Sequence, residues 1–442
     1  MLNQPKLLNT TYLGWFNCFL TNTQKIMRRI LLIAVALFAG INVYAQDTTA
    51  NKSENKVKLN FYGDINPQIY ADTRKVLEGR EGEMLFYPLP ESLDANGNDI
   101  NAVPQLNMVA ITSRLGLRIQ TPDMLGAKVS GLVEGDFTGA TGSGINMLRL
   151  RHAYMDMRWT NSELLVGQYW TPFVVHEVMP GTRPLNMGAP FHPYSRVVQA
   201  RYTQYFGAIE AVGVAAFQLD NKSSGPLPLG SSTEYIRNSC VPDLTAMIRY
   251  NSGRLFLGAG YNFLLLKPRT SLVGFDGLTY TTNTTFASHS TTVFAKYQFD
   301  NWSLRMQAIA AENMDAHLLL GGYAESQLQY NISDNSYYYN YKPFGCYTMW
   351  VDFGKSTGKW RPGIFMGYAE TFGLDESVEG WTIYGRGKDI DYLWRVQPRI
   401  GYYLSKNIQF FGEIEYTVAE YIEPYRHNVG NMRFILSAVY AF

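Results

Sequence analysis

The segment 147–157 alternates arginine with leucine, so that Arg149 and Arg151 stand beside Leu148 and Leu150. Successive side chains of a β-strand point to opposite faces, and this pattern therefore puts guanidinium groups on one face and aliphatic groups on the other. Two architectures fit the pattern. In a soluble sheet the charged face meets water, whereas in a membrane barrel the leucines face lipid and the arginines face a wet lumen.

Further charged residues share this alternation, and we predict that they line the same wet surface. The basic candidates are Arg114, Arg118, Arg149, Arg151, Arg395, Arg399 and Arg433, and the acidic candidates are Glu134, Asp136, Glu413 and Glu415. A wall of arginines favours anions, because Coulomb interactions are stronger in a narrow passage than in bulk water. The alternative is that these charges pair across adjacent strands and only stabilise the wall.

Residue types that support bond-making chemistry do not form a recognisable site. The six histidines are scattered, at positions 152, 176, 192, 289, 317 and 427. None forms a His-x-x-x-His pair, so we predict no metal site, and we predict no cofactor. Ser195 near His192, and Ser290 beside His289, come nearest to a nucleophile with a base, but the chain has no Gly-x-Ser-x-Gly elbow. We therefore predict no catalytic residue and no enzyme activity.

Composition favours a β-rich chain that meets two solvents. Charged residues make up 17% of the 442-residue chain, against about 25% in soluble proteins. Aromatic residues make up 14%, and the mean hydropathy of −0.16 is too low for a multi-helix membrane protein.

The one long apolar segment has the layout of a secretory signal peptide over residues 27–45. Arg28 and Arg29 form a basic start, an apolar core follows at 30–41, and Ala45 precedes the expected cleavage site. The alternative is a membrane anchor, but the core is shorter than the ~20 residues of a spanning helix. We expect residues 1–26 to be an extension from an upstream start codon and residues 46–56 to be a short polar tail.

Cleavage at this position would also change the charge of the chain. It removes four basic residues and no acidic residue from a chain with 38 basic and 37 acidic residues, so the mature protein is net acidic. We therefore predict no nucleic-acid partner. Cys240 and Cys346 remain after cleavage, and two cysteines are too few for a disulfide scaffold.

Residues 57–442 predict one all-β domain, a transmembrane antiparallel β-barrel of sixteen strands. The predicted strands are 57–71, 106–120, 127–137, 145–159, 163–170, 196–204, 206–219, 242–251, 254–266, 287–299, 302–313, 342–354, 359–371, 390–404, 407–421 and 429–442. Short connections alternate with long ones, which indicates short periplasmic turns and long extracellular loops. Pro67, Pro362 and Pro398 lie inside predicted strands, where proline removes a ladder hydrogen bond, so we expect bulges or altered register there.

The stretch 131–173 resembles the DcaP-like porins. The shared elements are Glu-Gly-Asp-Phe at 134–137, Leu-Arg-Leu-Arg-His-Ala-Tyr at 148–154 and Leu-Leu-Val-Gly-Gln-Tyr-Trp at 164–170. The terminal strand also alternates apolar residues and ends in Phe442, which resembles the assembly signal of outer-membrane barrels. The resemblance implies a homotrimeric outer-membrane channel, surrounded by lipid and lipopolysaccharide, for small anionic solutes such as dicarboxylates. Members with a long N-terminal coiled coil differ from this chain.

The loop after the fifth strand, residues 171–195, resembles the loop that folds into the lumen of general porins. It contains five prolines, which stiffen the backbone. Its ionisable residues are His176, Glu177, Arg183 and His192. The resemblance implies that this loop forms the constriction of the channel; the alternative is an exposed surface loop.

The predicted function is passive diffusion of small hydrophilic solutes across the outer membrane, with a preference for anions or dicarboxylates. Two other hypotheses stay open. One is a surface-exposed binding or adhesion barrel that uses its long loops at 74–105 and 314–341. The other is an outer-membrane hydrolase.

Overall fold

The structure, a computed structural model, describes residues 56–139, 144–333, 335–422 and 428–442. Sixteen antiparallel strands follow one another around a closed barrel, and the last strand pairs with the first through Asp64 with Ala441 and Gln68 with Ser437. The predicted sixteen-stranded all-β barrel is confirmed. Among the described residues, no helix is long and apolar enough to cross a membrane.

The first two strands each consist of two parts, and the other fourteen are continuous. The strands are β1 (Lys58–Ile65 and Gln68–Asp72), β2 (Gln105–Val109 and Arg114–Gln120), β3 (Lys128–Asp136), β4 (Arg149–Arg158), β5 (Ser162–Trp170), β6 (Arg196–Phe206), β7 (Ile209–Gln218), β8 (Asp243–Asn251), β9 (Leu255–Leu266), β10 (Phe286–Gln298), β11 (Trp302–Glu312), β12 (Tyr341–Lys355), β13 (Trp360–Phe372), β14 (Ile390–Tyr403), β15 (Ile408–Tyr421) and β16 (Asn428–Ala441).

Short turns such as 207–208 and 252–254 join the strands at one end of the barrel, and long loops such as 219–242 and 313–340 join them at the other. The loops contain small elements of their own. These include the helix α1 (Glu234–Ser239), 3-10 helices at His176–Val178, Asp315–His317 and Glu376–Val378, and short strands at Gly321–Glu325 and Thr382–Arg386. They also include hairpins formed by Val76–Gly79 with Met84–Pro88, Ser271–Val273 with Thr279–Thr281, and Gln329–Asn331 with Ser336–Tyr338.

The barrel has apolar side chains outside and polar side chains inside. Leu148 and Leu150 are 68% and 47% exposed on the outer wall, whereas Arg149 and Arg151 are 7% and 2% exposed. On β16 the apolar Phe434 and Leu436 likewise point outward. A soluble sheet would have the reverse arrangement, so the wall is built for a bilayer outside and water inside.

A β-bulge modifies this alternation on β4. The register with β3 shifts between the pairs Glu134–His152 and Gly135–Leu150, which leaves Arg151 as an extra residue. Strict alternation would place His152 outside with the leucines, but His152 is only 5% exposed and points inward like Arg151. The bulge therefore adds an imidazole to the inner wall.

The three prolines behave differently from one another. Pro67 lies in the break between the two parts of β1, which is the irregularity expected there. Pro362 and Pro398, on the neighbouring strands β13 and β14, remain in a ladder without a register shift. Between β14 and β15, however, the pairing skips from Val396 to Arg399, so the missing N–H of Pro398 opens the ladder without changing its register.

Candidate functional site

Four of the predicted residues come together on β3 and β4. Arg149 Nη2 and Arg151 Nη1 each lie 2.8 Å from Asp136 Oδ2. Arg151 Nε donates to Glu134 Oε1 at 2.7 Å. All four side chains are nearly excluded from solvent. Here the cross-strand pairing that the sequence left open as an alternative is realised, and most of the charge is compensated locally.

A third carboxylate, Asp220, extends this cluster to the end of β7. Asp220 Oδ2 lies 2.8 Å from Arg196 Nη1, and Asp220 Oδ1 lies 3.2 Å from Arg149 Nη1 and 4.0 Å from Arg80 Nη2. Arg196 also donates to the hydroxyl of Tyr194 at 2.8 Å. These residues were not predictable from the sequence because they lie at strand ends and in loops, where alternation gives no signal. We call Arg149, Arg151, Arg196, Asp136 and Asp220 the arginine cluster.

Arg114 and Arg118 on β2 are in a different situation. Among the described residues, neither guanidinium has a carboxylate oxygen within 4.0 Å. Arg118 instead lies over the ring of Tyr62, 4.1 Å from its centroid, and the Tyr62 hydroxyl donates to Glu134 at 2.8 Å. No direct ion pair in the described part of the wall therefore neutralises these two arginines.

The three predicted late-strand arginines are all paired. Arg395 Nη2 lies 3.0 Å from Glu415 Oε1, and Arg433 Nη2 lies 2.6 Å from Asp72 Oδ2 on β1. Arg399 Nη2 donates to Asp352 Oδ1 at 2.9 Å, and Nη1 lies 2.7 Å from Asp352 Oδ2 without hydrogen-bond direction. Asp352 was not among the predicted residues, although its position on β12, two residues after the inward Trp350, gives it the inward parity.

The loop 171–195 crosses the barrel interior. It leaves β5, yet Gln307 Nε2 on β11 donates to Phe173 O at 3.0 Å and Thr348 Oγ1 on β12 donates to Phe191 O at 3.0 Å. Arg183 N donates to Glu413 Oε1 on β15 at 3.0 Å, and Gln397 Nε2 donates to the other oxygen of Glu413 at 2.6 Å. The loop is thus fastened to the wall opposite its origin.

The ionisable side chains of this loop have different environments. His176 and Glu177 are exposed to the interior space. Arg183 lies over the ring of Phe411, 4.1 Å from its centroid, and has no carboxylate oxygen within 4.0 Å among the described residues. His192 is buried, with its ring edge-on to Trp350 at 5.4 Å. Three of the four therefore face solvent or the cavity next to it, and His192 belongs to the packing.

A cavity of 680 Å³ lies on the turn side of this loop, and we call it the turn-side cavity. Its wall contains four guanidinium groups, from Arg114, Arg118, Arg151 and Arg183. It contains two side-chain carboxylates, from Asp64 and Glu134. Positive charge therefore exceeds negative charge in this space, and three of the four guanidinium groups are those without a carboxylate partner.

A second cavity of 680 Å³ opens among the long loops, and we call it the loop-side cavity. Its charged lining residues are Arg80, Asp220, Lys222, Asp315, Arg386, Lys388 and Asp389. A buried apolar cluster, which includes Phe173, Leu185, Phe191 and Leu319, packs inside the barrel against wall residues of the strands from β5 to β16. The arginine cluster lies on the remaining polar side, between the two cavities.

The serines considered for a hydrolase do not meet a histidine base. Ser195 Oγ and His192 Nδ1 are both buried without a hydrogen-bond partner in the described part of the chain. Ser290 Oγ donates to the Glu312 carbonyl, and His289 Nδ1 shares a 2.6 Å hydrogen bond with the hydroxyl of Tyr261. The described ranges also contain no group of three His, Cys, Asp or Glu side chains arranged to hold a metal ion.

Comparison with known proteins supports an outer-membrane barrel. The family described as DcaP outer membrane protein matches residues 33–224. The outer membrane channel DcaP of Acinetobacter baumannii has a similar fold, with a TM-score of 0.62 and 18% identity over 89% of this chain and 100% of that chain. OmpT of Vibrio cholerae, an outer membrane protein, has a TM-score of 0.51 and 12% identity over 89% of this chain and 99% of its own. No curated protein sequence matches the chain.

Proposed function

We propose that the chain, which matches the DcaP outer membrane protein family over residues 33–224, is an outer-membrane porin that passes small hydrophilic solutes with a preference for anions. The observation that carries the preference is the excess of guanidinium groups over carboxylates in the turn-side cavity. Arginines around a narrow aqueous passage lower the energy of an anion and raise that of a cation.

The partly exposed arginines would set this preference, and the paired ones would hold the wall. Arg114, Arg118 and Arg183 have no carboxylate oxygen within 4.0 Å among the described residues, so no direct ion pair neutralises them at the cavity wall. Arg149, Arg151, Arg395, Arg399 and Arg433 each have such a partner. In this proposal the unpaired arginines favour anions, and the paired arginines stabilise the wall by cross-strand pairing. Both alternatives that the sequence left open therefore apply, each to a different group.

The loop 171–195 would form the constriction, since its backbone is fastened across the interior to β11, β12 and β15. Its exposed Glu177 and its Arg183 would then flank the passage with opposite charges. Proline at five positions limits the conformations of this loop, which suits an element that must keep a passage at a constant width.

Export and assembly complete the proposal. Residues 27–45 would direct secretion, and the outward leucines, valines and aromatics would contact lipid and lipopolysaccharide. OmpT of Vibrio cholerae has been solved in a trimer form, with a TM-score of 0.50 and 13% identity over 87% of this chain and 99% of its own. We propose a homotrimer here as well, and no enzymatic step.

Liposome swelling with size-matched solutes tests the function. Proteoliposomes are transferred into isosmotic succinate, glycerol or putrescine, which carry negative, zero and positive charge. We expect swelling in all three, fastest in succinate. Equal rates in succinate and putrescine would contradict the anion preference. Absence of swelling from a folded, heat-modifiable barrel would contradict the channel itself and favour a surface-binding protein.

A further inference from the structure

The loop between β1 and β2, predicted from the sequence as a long external connection, contains a hairpin formed by Val76–Gly79 with Met84–Pro88. In the structure the hairpin is fixed inside the barrel. Arg395 Nη2 donates to Leu85 O at 3.2 Å and Phe86 O at 3.1 Å, and Tyr421 Oη donates to Pro88 O at 2.6 Å. Leu85 has no exposed surface. The wall of β14 and β15 therefore holds the second arm of this hairpin.

The hairpin also contacts the loop 171–195. Asn186 Nδ2 donates to Leu85 O at 2.8 Å, and Arg395 Nη1 donates to Ala189 O at 3.0 Å. A single guanidinium thus binds the backbone of both inward segments. Met84, Phe86 and Tyr87 of the hairpin belong to the same buried apolar cluster as Phe173 and Phe191. The two segments form one packed body across the lumen.

The tip of the hairpin has an unusual backbone. Arg80, Glu81 and Gly82 have φ values of 57°, 54° and 77°, so two non-glycine residues in succession adopt the left-handed region. Wall groups stabilise this conformation. The hydroxyl of Tyr70 and Nδ2 of Asn107 donate to Glu81 O, and Arg433 Nη1 donates to Gly82 O. Residues kept in such a conformation by several independent contacts often serve to aim a functional side chain.

The tip of the hairpin positions the side chain of Arg80. Its Nη1 donates to the carbonyl oxygens of Thr138 and Gly139, and its Nη2 lies 4.0 Å from Asp220 Oδ1. Asp220 already has two closer guanidinium partners, Arg149 and Arg196. Arg80 is therefore the most weakly compensated cation around that carboxylate, and it lines the loop-side cavity.

We propose that the hairpin is a second arm of the constriction and that Arg80 is a selectivity-determining residue, placed where the loop-side cavity meets the arginine cluster. A solute entering from the loops would pass this guanidinium before it reaches the turn-side cavity. Arg386 lines the same cavity and lies over Phe86 of the hairpin, 4.2 Å from the ring centroid, which adds a second cation near the entrance. The role of Arg80 rests on the proposed diffusion function, whereas the position of the hairpin does not.

Two experiments separate these statements. In a Cys240→Ser background, Leu85→Cys and Leu93→Cys are labelled with a charged maleimide in folded protein. Both positions are in the loop 73–104, but Leu93 is 58% exposed and Leu85 has no exposed surface. We expect Leu93→Cys to react at least about a hundredfold faster, because a buried site reacts only when its surroundings open. Equal rates would overturn the hairpin's inward position, whether or not the protein conducts.

The selectivity role is tested by reversal potentials for Arg80→Gln, Arg80→Lys and the control Lys222→Gln. Lys222 is exposed in the same cavity and has no carboxylate oxygen within 4.0 Å among the described residues. We expect Arg80→Gln to lower the anion-to-cation permeability ratio about twofold or more, and Arg80→Lys and Lys222→Gln to stay near wild type. An unchanged ratio in folded Arg80→Gln, or an equal fall in Lys222→Gln, would overturn the role of Arg80. A wild-type protein that does not conduct would instead contradict the proposed function.

Discussion

Arg395 and Glu415 lie on the adjacent strands β14 and β15, with Nη2 3.0 Å from Oε1 and no exposed surface on either side chain. Neither oxygen of Glu415 has a hydrogen-bond partner in the described part of the chain, so the contact is an electrostatic one without good hydrogen-bond direction. Arg395 donates hydrogen bonds to the hydroxyl of Thr417 and to the carbonyl oxygens of Ala189 and Leu85. Its charge thus compensates Glu415 while its N–H groups hold both inward segments.

Arg395→Ala is expected to destabilise the barrel by about 3–5 kcal/mol, because it leaves a buried carboxylate without a counter-ion. The measurement is urea-induced unfolding in detergent micelles, followed by the mobility shift of the heated and unheated protein. Replacing both partners, as Arg395→Met with Glu415→Leu, should recover part of the loss, since no buried charge remains. A single variant as stable as wild type would show that Glu415 is uncharged in the folded barrel.

Asp352 accepts one hydrogen bond from Arg399 Nη2 at 2.9 Å and one from Gly181 N of the inward loop at 3.2 Å, and Arg399 Nη1 lies 2.7 Å from Asp352 Oδ2. Asp352→Asn removes the charge that compensates Arg399 and the nearby Arg305. We expect a reversal potential shifted toward anions together with a lower unfolding midpoint. Asp300→Asn is the control, because that side chain is 90% exposed in a turn. A shift toward cations in Asp352→Asn would contradict the assignment of Arg399 and Arg305 to the lumen.

The double variant Arg114→Gln with Arg118→Gln tests the uncompensated charge of the turn-side cavity. We expect the anion-to-cation permeability ratio to fall by about threefold or more, because two of the four guanidinium groups of that wall disappear. Arg158→Gln is the matched control, since Arg158 is 57% exposed and already paired with Glu163 at 2.7 Å. Equal effects of the double variant and the control would assign the selectivity to overall charge.

Shortening the loop 171–195 tests its role as constriction. Replacing residues 176–188 by a short Gly-Ser linker removes the contacts to Asp352 and Glu413 and should roughly double the single-channel conductance or more, because the narrowest point of a pore dominates its resistance. Shortening the hairpin of Ser271–Val273 and Thr279–Thr281 serves as the control. An unchanged conductance in the first variant would place the constriction elsewhere.

Val293 and Val273 give a test of the membrane-facing surface. Both are 57% exposed, but Val293 is at the centre of β10 and Val273 is in a loop hairpin. Val293→Arg should destabilise the protein in lipid by about 2–4 kcal/mol, the value for arginine at the bilayer midplane. Val273→Arg should have no measurable effect. Equal stability of the two variants in liposomes would mean that the centre of β10 does not face lipid.

The strands were predictable because both faces of the barrel impose alternation on the sequence. Leu148 and Arg149 already contain the information that one face is wet and the other is not. The alternating lengths of the connections indicated which end of the barrel has the periplasmic turns and which end has the extracellular loops. The bulge at Arg151 was not predictable from the sequence of β4. An extra residue in one strand becomes evident only when that strand is paired with its neighbour. As a result His152 was missed as an inward residue.

The ion pairs and the inward hairpin lay beyond sequence reasoning for a different reason. Alternation predicts that Arg399 points inward. It does not predict the partner Asp352, because that residue is on a strand far away in the sequence. Asp220 and Arg80 lie in loops, where no periodicity exists. The one available signal for the hairpin was the apolar run Met84–Pro88 inside a loop, because an exposed loop rarely carries five such residues in succession.

The most direct test of the account is the reversal potential of wild-type single channels in a planar bilayer under a KCl gradient. The excess of guanidinium groups in the turn-side cavity predicts step-like openings with a reversal potential displaced toward that of chloride. A reversal potential displaced toward that of potassium would contradict it, and would assign control of the passage to Glu177, Asp64 and Glu134.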